Sequence, residues 1–364
     1  MTERSRAKER VRALVRAARR IADPNDELGR EARPLLVAST GLSPEGVELA
    51  LAECLETHPS EDDLERLASS VTPASRAHVV LSASVFVAAH RAIALGLASS
   101  VSVFVKPSRR DPAMSHLLAR AAPGLFRIVD QLDASPSDVV FAYGSDEALG
   151  AVRSALPDGV RFEPHGTGMG ICVLELPPDV PGAELDRLAR AVTSDVVPFD
   201  QFGCLSPRAV LVVGSEVETE RFATSLAAAL AEAELRVPRG RIPEDVGVAA
   251  ARYRDAMTVA ASVLPAGAGC VGVARDGGIA VIPPPGRNIH VARVVDVGRT
   301  VEMLRRWVTV FGVAGSAALS GQLAELAPEA RRVRPGFMQR PAFDGPVDRR
   351  HKRQAPGELR HQPY

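Results

Sequence analysis

A chain of 364 residues is long enough for two packed domains with a substantial core. Its 44 basic residues balance its 44 acidic ones, which argues against a field strong enough to hold it on nucleic acid or an anionic membrane. The four cysteines are too sparse for a disulfide scaffold and lack the short spacing of a zinc site. We therefore expect reduced thiols, no structural metal and no nucleic-acid partner.

The N-terminal segment MTERSRAKERVRALVRAARRIADPNDELGR is basic, has a helical pattern and lacks the apolar stretch that a signal peptide needs. No apolar run approaches the roughly 20 residues that a membrane-spanning helix requires. The most apolar stretch, residues 77–105, is broken by His90 and Arg91. These features predict a cytoplasmic protein with no membrane span.

Apolar, strand-like runs alternate with helical patterns from HVVLSAS to SDEALGAVRSAL. This alternation predicts an α/β fold with a doubly wound parallel sheet, whose ligand lies at the carboxyl ends of the strands. The loops KPSRRDP and AYGSDE each follow a predicted strand. They are therefore candidate cofactor contacts.

A second α/β unit is predicted after residue 192, where VVPFDQFGCLSPR is followed by the strand AVLVVG and the helix ETERFATSLAAALAEAEL. From residue 333 the chain is rich in Pro, Arg and polar residues, a composition typical of frayed termini. We divide the chain into a first domain at 1–197, a second at 198–334 and a polar, partly disordered tail at 335–364.

One cysteine, Cys204, stands in the segment DQFGCLSPR, where a turn at Gly203 would present its sulfur between the two domains. A thiolate attacks carbonyls and thioesters, and a nearby cation lowers the pKa of the thiol; Arg208 is the local candidate for that cation. On the residues alone, a packed core thiol is the alternative. The other three cysteines lie in apolar surroundings typical of core thiols: Cys54, Cys172 and Cys270.

The segment DQFGCLSPRAVLVV resembles the catalytic-cysteine segment of the LuxC-type acyl-CoA reductases, a branch of the aldehyde-dehydrogenase superfamily. Further matching pieces follow in order between about residues 20 and 350, among them VFVKPSRRDP, FAYGSDEALG, HGTGMGICVLE and RPGFMQRPAFDGPVD. The resemblance implies an aldehyde-dehydrogenase-like fold, with a nicotinamide-cofactor domain followed by a catalytic domain. It also implies an acyl-CoA substrate, Cys204 as the acyl-accepting nucleophile, and a homodimer or a larger reductase complex.

The loop at Lys106, Pro107 and Ser108 resembles the superfamily loop that holds the adenosine ribose of the cofactor. Arg109 and Arg110 follow at once. Because a 2′-phosphate needs cations for charge-assisted hydrogen bonds, this loop favours NADPH. A solvated loop is the alternative for the lysine.

Gly144 and Ser145 resemble the superfamily turn beneath the cofactor's pyrophosphate, where a strand passes into a helix. Ser145 is a plausible N-cap, and N–H groups at a helix start bind anions. Asp146 and Glu147 suit the helix dipole but repel phosphate. A capped helix without a ligand therefore remains the alternative.

The segment HGTGMG precedes a predicted strand, whereas a dinucleotide-binding loop precedes a helix. It resembles instead the segment in which common aldehyde dehydrogenases carry a Glu-Leu-Gly-Gly motif bearing a base. Pro164 stands at the place of that glutamate, and Glu163 lies one position out of register. Without this base, hydrolysis of an acyl-cysteine is expected to be slow. His165 and His290 remain as candidates for proton transfer, or are ordinary polar histidines.

These features together predict NADPH-dependent reduction of an acyl-CoA to an aldehyde through an acyl-cysteine. Two alternatives stay open. One is a cofactor-binding subunit of a reductase complex that has lost turnover, because the base is missing and the chain looks short at its front for this family. The other is an ordinary aldehyde dehydrogenase, which shares the nucleophile.

Overall fold

A computed structural model describes residues 2–83, 85–274 and 282–350. Four helices precede the first strand, and side chains cap their N-termini; at the last of them, Ser60 and Asp63 form a reciprocal capping box. The helices are α1 (Glu3–Ala22), α2 (Glu27–Thr40), α3 (Pro44–Leu49), which continues as a π-helix (Ala50–Cys54), and α4 (Glu61–Ser69).

The first sheet is parallel, with strand order β3-β2-β1-β4-β5. Helices α5 and α6 pack on one face below the N-terminal helices, and α7 packs on the other. The doubly wound sheet predicted from the strand–helix alternation is confirmed. Its elements are β1 (Ala77–Val80), α5 (Ala88–Ser99), β2 (Val103–Lys106), α6 (Ala113–Ala121), β3 (Arg127–Ile128), β4 (Val139–Tyr143), α7 (Asp146–Ala155) and β5 (Arg161–His165).

The second sheet has the order β12-β11-β6-β7-β10-β9-β8, and only the β8–β9 pair is antiparallel among the described strands. Helices α8 and α9 pack on one face, α11 and α12 pack on the other, and α10 packs against β8 and β9. The elements are β6 (Met169–Glu175), α8 (Gly182–Val196), a 3₁₀ helix (Pro198–Gln201), β7 (Pro207–Val213), α9 (Glu216–Arg236), α10 (Glu244–Ala260), β8 (Ser262–Ala266), β9 (Gly269–Ala274), β10 (Asn288–Arg293), α11 (Val297–Leu304), β11 (Val308–Ala314), α12 (Ala317–Leu326) and β12 (Arg331–Val333).

The boundary between the two sheets lies at residues 166–168, not at 197. Strand β6 pairs with β7 and β11, so β6 and α8 belong to the second sheet. The predicted division after residue 197 was wrong in this respect. Periodicity identifies a strand, but its partners lie far along the chain and leave no local signal.

Residues 335–350, here called the C-terminal segment, pack against both sheets rather than fraying. Met338 and Phe343 are buried. The carboxylate of Asp195 in α8 accepts hydrogen bonds from the backbone N–H groups of Gly336 (2.6 Å) and Met338 (2.9 Å). The predicted tail therefore needs correction over 335–350, while its remainder, 351–364, lies outside the described residues.

No helix in the described part of the chain is long and apolar enough to cross a membrane.

Candidate active site

A cavity of about 590 Å³ lies between the two sheets. Residues that follow β1, β2, β4 and β5 form one side, so the cavity adjoins the carboxyl ends of the first sheet's strands. The segment before β7 and the C-terminal segment form the other side. Among the residues singled out from the sequence, the cavity brings together Ser108, Arg110, Gly144, Ser145, His165, Cys204 and Arg208.

Cys204 follows an unusual turn between α8 and β7. Phe199, Asp200 and Gln201 have φ values of +55°, +49° and +70°. Each such non-glycine residue costs roughly 1 to 3 kcal/mol and persists only where its surroundings hold it. The backbone before the cysteine is therefore strained, and it depends on the contacts around it.

A buried polar network supplies those contacts. Arg287 donates to the carboxylate of Asp200 through Nη2 (2.8 Å) and Nε (3.1 Å), and to Glu234 through Nη1 (2.8 Å). The side chain of Gln201 donates to the carbonyls of Pro207 (2.8 Å) and Asn288 (2.7 Å). The sequence pattern assigns these residues no role. Their one signal is that Asp200 and Gln201 are the first two residues of the cysteine segment DQFGCLSPR.

The Cys204 side chain is partly buried in a turn at 203–205, where Ser206 N–H donates to the Gly203 carbonyl (3.0 Å). Burial raises the pKa of the thiol to about 11, and the Asp348 carboxylate acts in the same direction. Arg350 and Arg91 partly offset this. The cations near the sulfur are thus these two, rather than the Arg208 expected from its proximity in sequence, and the resting form is the thiol.

Asp348 reaches the cavity from the C-terminal segment. Its residue is 6% exposed, and its carboxylate pairs with Arg350 (2.6 Å). Arg350 also donates to the carbonyl of Thr167 (3.0 Å), which connects the segment to the loop after β5. Because the composition of this region predicts a polar tail, reasoning from the sequence does not find this pair.

The two predicted proton-transfer histidines have different positions. His165 ends β5 and lines the cavity, with its ring stacked on Tyr143 at 4.4 Å between centroids. His290 is buried within β10, and its Nδ1 lies 3.1 Å from the hydroxyl of Tyr253. His290 does not line the cavity, so we remove it from the candidate residues.

Both carboxylates among the described residues that line the cavity are held in ion pairs. Glu56 pairs with Arg91 (2.5 Å), and Asp348 pairs with Arg350. Oε1 of Glu163 lies 3.6 Å from Nε of Arg161 on the same strand, and Glu163 does not line the cavity. Pro164, predicted from the resemblance to stand where the superfamily carries its base, pairs with Ala142 and lies on the edge strand β5 of the first sheet.

The loop after β2 contributes only part of its predicted contacts. Ser108 and Arg110 line the cavity, and Ser108 Oγ accepts a hydrogen bond from the Arg110 N–H (3.3 Å). Lys106, Pro107 and Arg109 are not among the lining residues.

The N-terminus of α7 adjoins the same cavity. Ser145 caps it by accepting from the Ala148 N–H (3.2 Å), and both residues line the cavity with Gly144. The carboxylate of Asp146 accepts a hydrogen bond from the Thr167 N–H (3.2 Å), which offsets part of its charge. A capped helix start suits a dinucleotide phosphate, and the cation Arg110 lines the same cavity. These residues therefore fit a nicotinamide cofactor. Within the described ranges, no cluster of His, Cys, Asp and Glu is suited to a metal ion.

The fold is that of the aldehyde dehydrogenases. The chain is similar to γ-glutamyl-γ-aminobutyraldehyde dehydrogenase from Burkholderia cenocepacia J2315 (TM-score 0.64, 18% identity, covering 92% of this chain and 76% of that one). It is also similar to lactaldehyde dehydrogenase from Escherichia coli (0.67, 13%, 93% and 80%). A third similar structure is a Mycobacterium tuberculosis aldehyde dehydrogenase complexed with NAD⁺ (0.63, 14%, 90% and 77%).

Within this fold, the chain belongs to the acyl-CoA reductase (LuxC) family, whose model matches residues 126–341. A comparison with curated protein sequences found no match. Family and fold together support an oxidoreductase acting on acyl-CoA or aldehydes, and the suspected resemblance is confirmed.

Proposed function

We propose that the protein reduces an acyl-CoA to an aldehyde with NADPH, through an acyl group carried by Cys204. The observation that supports this most directly is the shared cavity. The Cys204 turn, the capped start of α7 and Arg110 all face it, so a thioester and a nicotinamide cofactor can meet at the sulfur.

In the first step, the Cys204 sulfur attacks the thioester carbonyl. A sulfur–carbon bond forms, the bond to the coenzyme A sulfur breaks, and the departing thiolate takes up a proton. Because the pKa of Cys204 is about 11, its proton must leave as the attack proceeds. We assign this transfer to His165, which lines the same cavity. Backbone N–H groups near the cysteine stabilise the oxyanion.

In the second step, the acyl carbon is to be reduced, and NADPH, when bound, would supply the hydride. The chain's own contribution would be to hold the reacting groups together. The start of α7 at Ser145 would bind the cofactor's pyrophosphate, Arg110 would bind its 2′-phosphate, and the Cys204 turn would present the acyl group. His165 returns a proton to the carbonyl oxygen. Cleavage of the sulfur–carbon bond then releases the aldehyde and restores the thiol.

Water competes with reduction only if a base activates it. Glu56 and Asp348 are both ion-paired, and the resemblance predicts Pro164 at the place of the superfamily glutamate. Such a base contributes about a hundred- to ten-thousand-fold in rate. The acyl-cysteine is therefore expected to persist until it is reduced or returned to coenzyme A.

Mass spectrometry after mixing with an acyl-CoA tests the proposal. The wild-type protein should gain one acyl group on Cys204, and Cys204→Ser should gain none while it still binds NADPH, since a hydroxyl is a much weaker nucleophile. Cys54→Ser is the matched control. Cys54 lines the same cavity, but burial raises the pKa of its thiol to about 12.

Chromatography of the products separates the alternatives. Aldehyde with NADP⁺ should give thioester when coenzyme A is present and little free acid when it is absent. Rapid release of acid without coenzyme A would instead establish an ordinary aldehyde dehydrogenase. A protein that binds NADPH but is never acylated would be a cofactor-binding subunit.

A further inference from the structure

Arg208 is the second residue of β7 and lies at an irregularity of the second sheet. On β6, Gly170 pairs with Pro207 and the next residue, Ile171, pairs with Ala209. Arg208 is therefore the residue left unpaired with β6 at this register shift, a bulge-like irregularity of the kind that redirects side chains beside active sites. Its side chain lines the cavity that also contains Cys204.

The charge of Arg208 lacks a carboxylate partner within the described ranges. Its guanidinium has five N–H donors, and the structure records one hydrogen bond for it there, from Nη1 to the carbonyl of Pro283 (2.8 Å). Burial lowers the pKa of this group to about 10. By contrast, Arg91 and Arg350 act on the same cavity, and each pairs with a carboxylate. A desolvated cation with spare donors is suited to an anionic ligand.

Two kinds of anion can enter the cavity: a carboxylate on the acyl group, or a phosphate of the cofactor or of coenzyme A. Arg110 and the start of α7 serve phosphates from the first sheet, whereas Arg208 lies on the second sheet with the cysteine. A single guanidinium matches the planar geometry and single charge of a carboxylate. The carboxylate is therefore the better match.

The sequence separation suits a short acyl chain. Arg208 lies four positions after Cys204 in the sequence, so their Cα atoms are at most roughly 14 Å apart even in an extended chain. The turn at 203–205 shortens this distance, and the arginine side chain spans part of it.

We propose that Arg208 binds a carboxylate at the far end of the acyl group on Cys204, so that the preferred substrates are coenzyme A monothioesters of short dicarboxylic acids. This inference rests on the proposed function. The preference belongs to the acyl side of the cavity and leaves the cofactor site unchanged.

The test compares glutaryl-CoA with its monomethyl ester, which has the same chain without the charge. Wild-type kcat/KM should favour glutaryl-CoA by roughly 10- to 100-fold, the range expected for hydrogen bonds to a charged group. Arg208→Gln should remove this preference and leave turnover of the ester nearly unchanged. Arg110→Gln, which alters the cavity from the first sheet, should keep the preference.

Equal turnover of glutaryl-CoA and its ester by the wild-type protein would overturn the inference. So would an Arg208→Gln protein whose KM rises for NADPH, or for both thioesters alike, because the ligand would then be a phosphate. If circular dichroism shows that Arg208→Gln does not fold, two measurements still test the inference. They are the ratio of kcat/KM for glutaryl-CoA to that for its ester in the wild-type protein, and the same ratio in Arg208→Lys. Failure of the proposed function looks different: neither thioester would acylate Cys204.

Discussion

Cys204 lies between charges of opposite sign that both come from the C-terminal segment. The Asp348 carboxylate and burial raise the pKa of the thiol, while Arg350 lowers it. The thiol is therefore protonated at neutral pH, and its reactivity depends on proton removal during attack. Since these two side chains pair with each other, a change in either alters the field at the sulfur.

We predict that Asp348→Asn increases the rate at which iodoacetamide alkylates Cys204. Removal of the carboxylate lowers the pKa of the thiol, and each unit of that shift raises the thiolate fraction tenfold below the pKa. The wild-type rate should climb about tenfold per pH unit between pH 7 and 10, and the variant's profile should move to lower pH. Asp344→Asn, in the same segment but paired with Arg331, is the control. A wild-type rate that is flat above pH 7 would contradict the raised pKa.

Among the elements, the loop after β2 shows how a motif divides into residues with different positions. The sequence pattern singled out Lys106 to Arg110 as a unit, yet only Ser108 and Arg110 line the cavity. Arg109 is exposed and does not line the cavity. If a 2′-phosphate is bound here, Arg110 is the arginine that contacts it.

Replacement of Arg110 by Gln should raise the KM for NADPH roughly tenfold and that for NADH little. A charge-assisted contact is worth about 1.5 to 3 kcal/mol, and the exposure of this side chain places the effect at the lower end. Steady-state kinetics with both cofactors measures it, with Arg109→Gln as the neighbouring control. Equal increases in the KM for NADPH and for NADH would show that Arg110 does not contact the 2′-phosphate.

At the scale of the whole molecule, the C-terminal segment joins the two sheets. Arg91 in α5 donates to the carbonyls of Pro341 (3.0 Å) and Gly345 (2.7 Å), and it pairs with Glu56. Burial alone would raise the pKa of Glu56, but Arg91 and His90 hold it below its ordinary value. The contribution of this pair to stability is therefore complete at pH values above the ordinary pKa of a glutamate. It is lost as the pH falls through the lowered pKa of Glu56.

We predict that Arg91→Gln lowers the free energy of unfolding by about 3 to 5 kcal/mol, because it leaves the largely buried carboxylate of Glu56 without its partner. Urea denaturation at pH 7 measures the change. Arg340→Gln removes the exposed pair with Glu53 in the same region and should cost less than about 1 kcal/mol. Similar losses of unfolding free energy in the two variants would show that apolar packing, rather than the Arg91 contacts, holds the C-terminal segment.

Local signals in the sequence determined the elements that adjoin the site. Strand–helix alternation predicted the parallel sheet and hence the edge where ligands bind, because periodicity and strand connection are properties of short stretches. Ser145 was predicted to cap a helix and does so. The motif around Cys204 indicated the family that the comparison confirms.

Tertiary structure alone decided which distant residues share the cavity. Asp348 lies 144 positions after Cys204 and reaches it because the C-terminal segment packs back across both sheets. His290, equally plausible in sequence, is buried in β10. Strand β6 joined the second sheet, and the bulge at Arg208 arises only from its pairing there. Each outcome depends on contacts between residues far apart in the chain. Local sequence patterns do not predict such contacts.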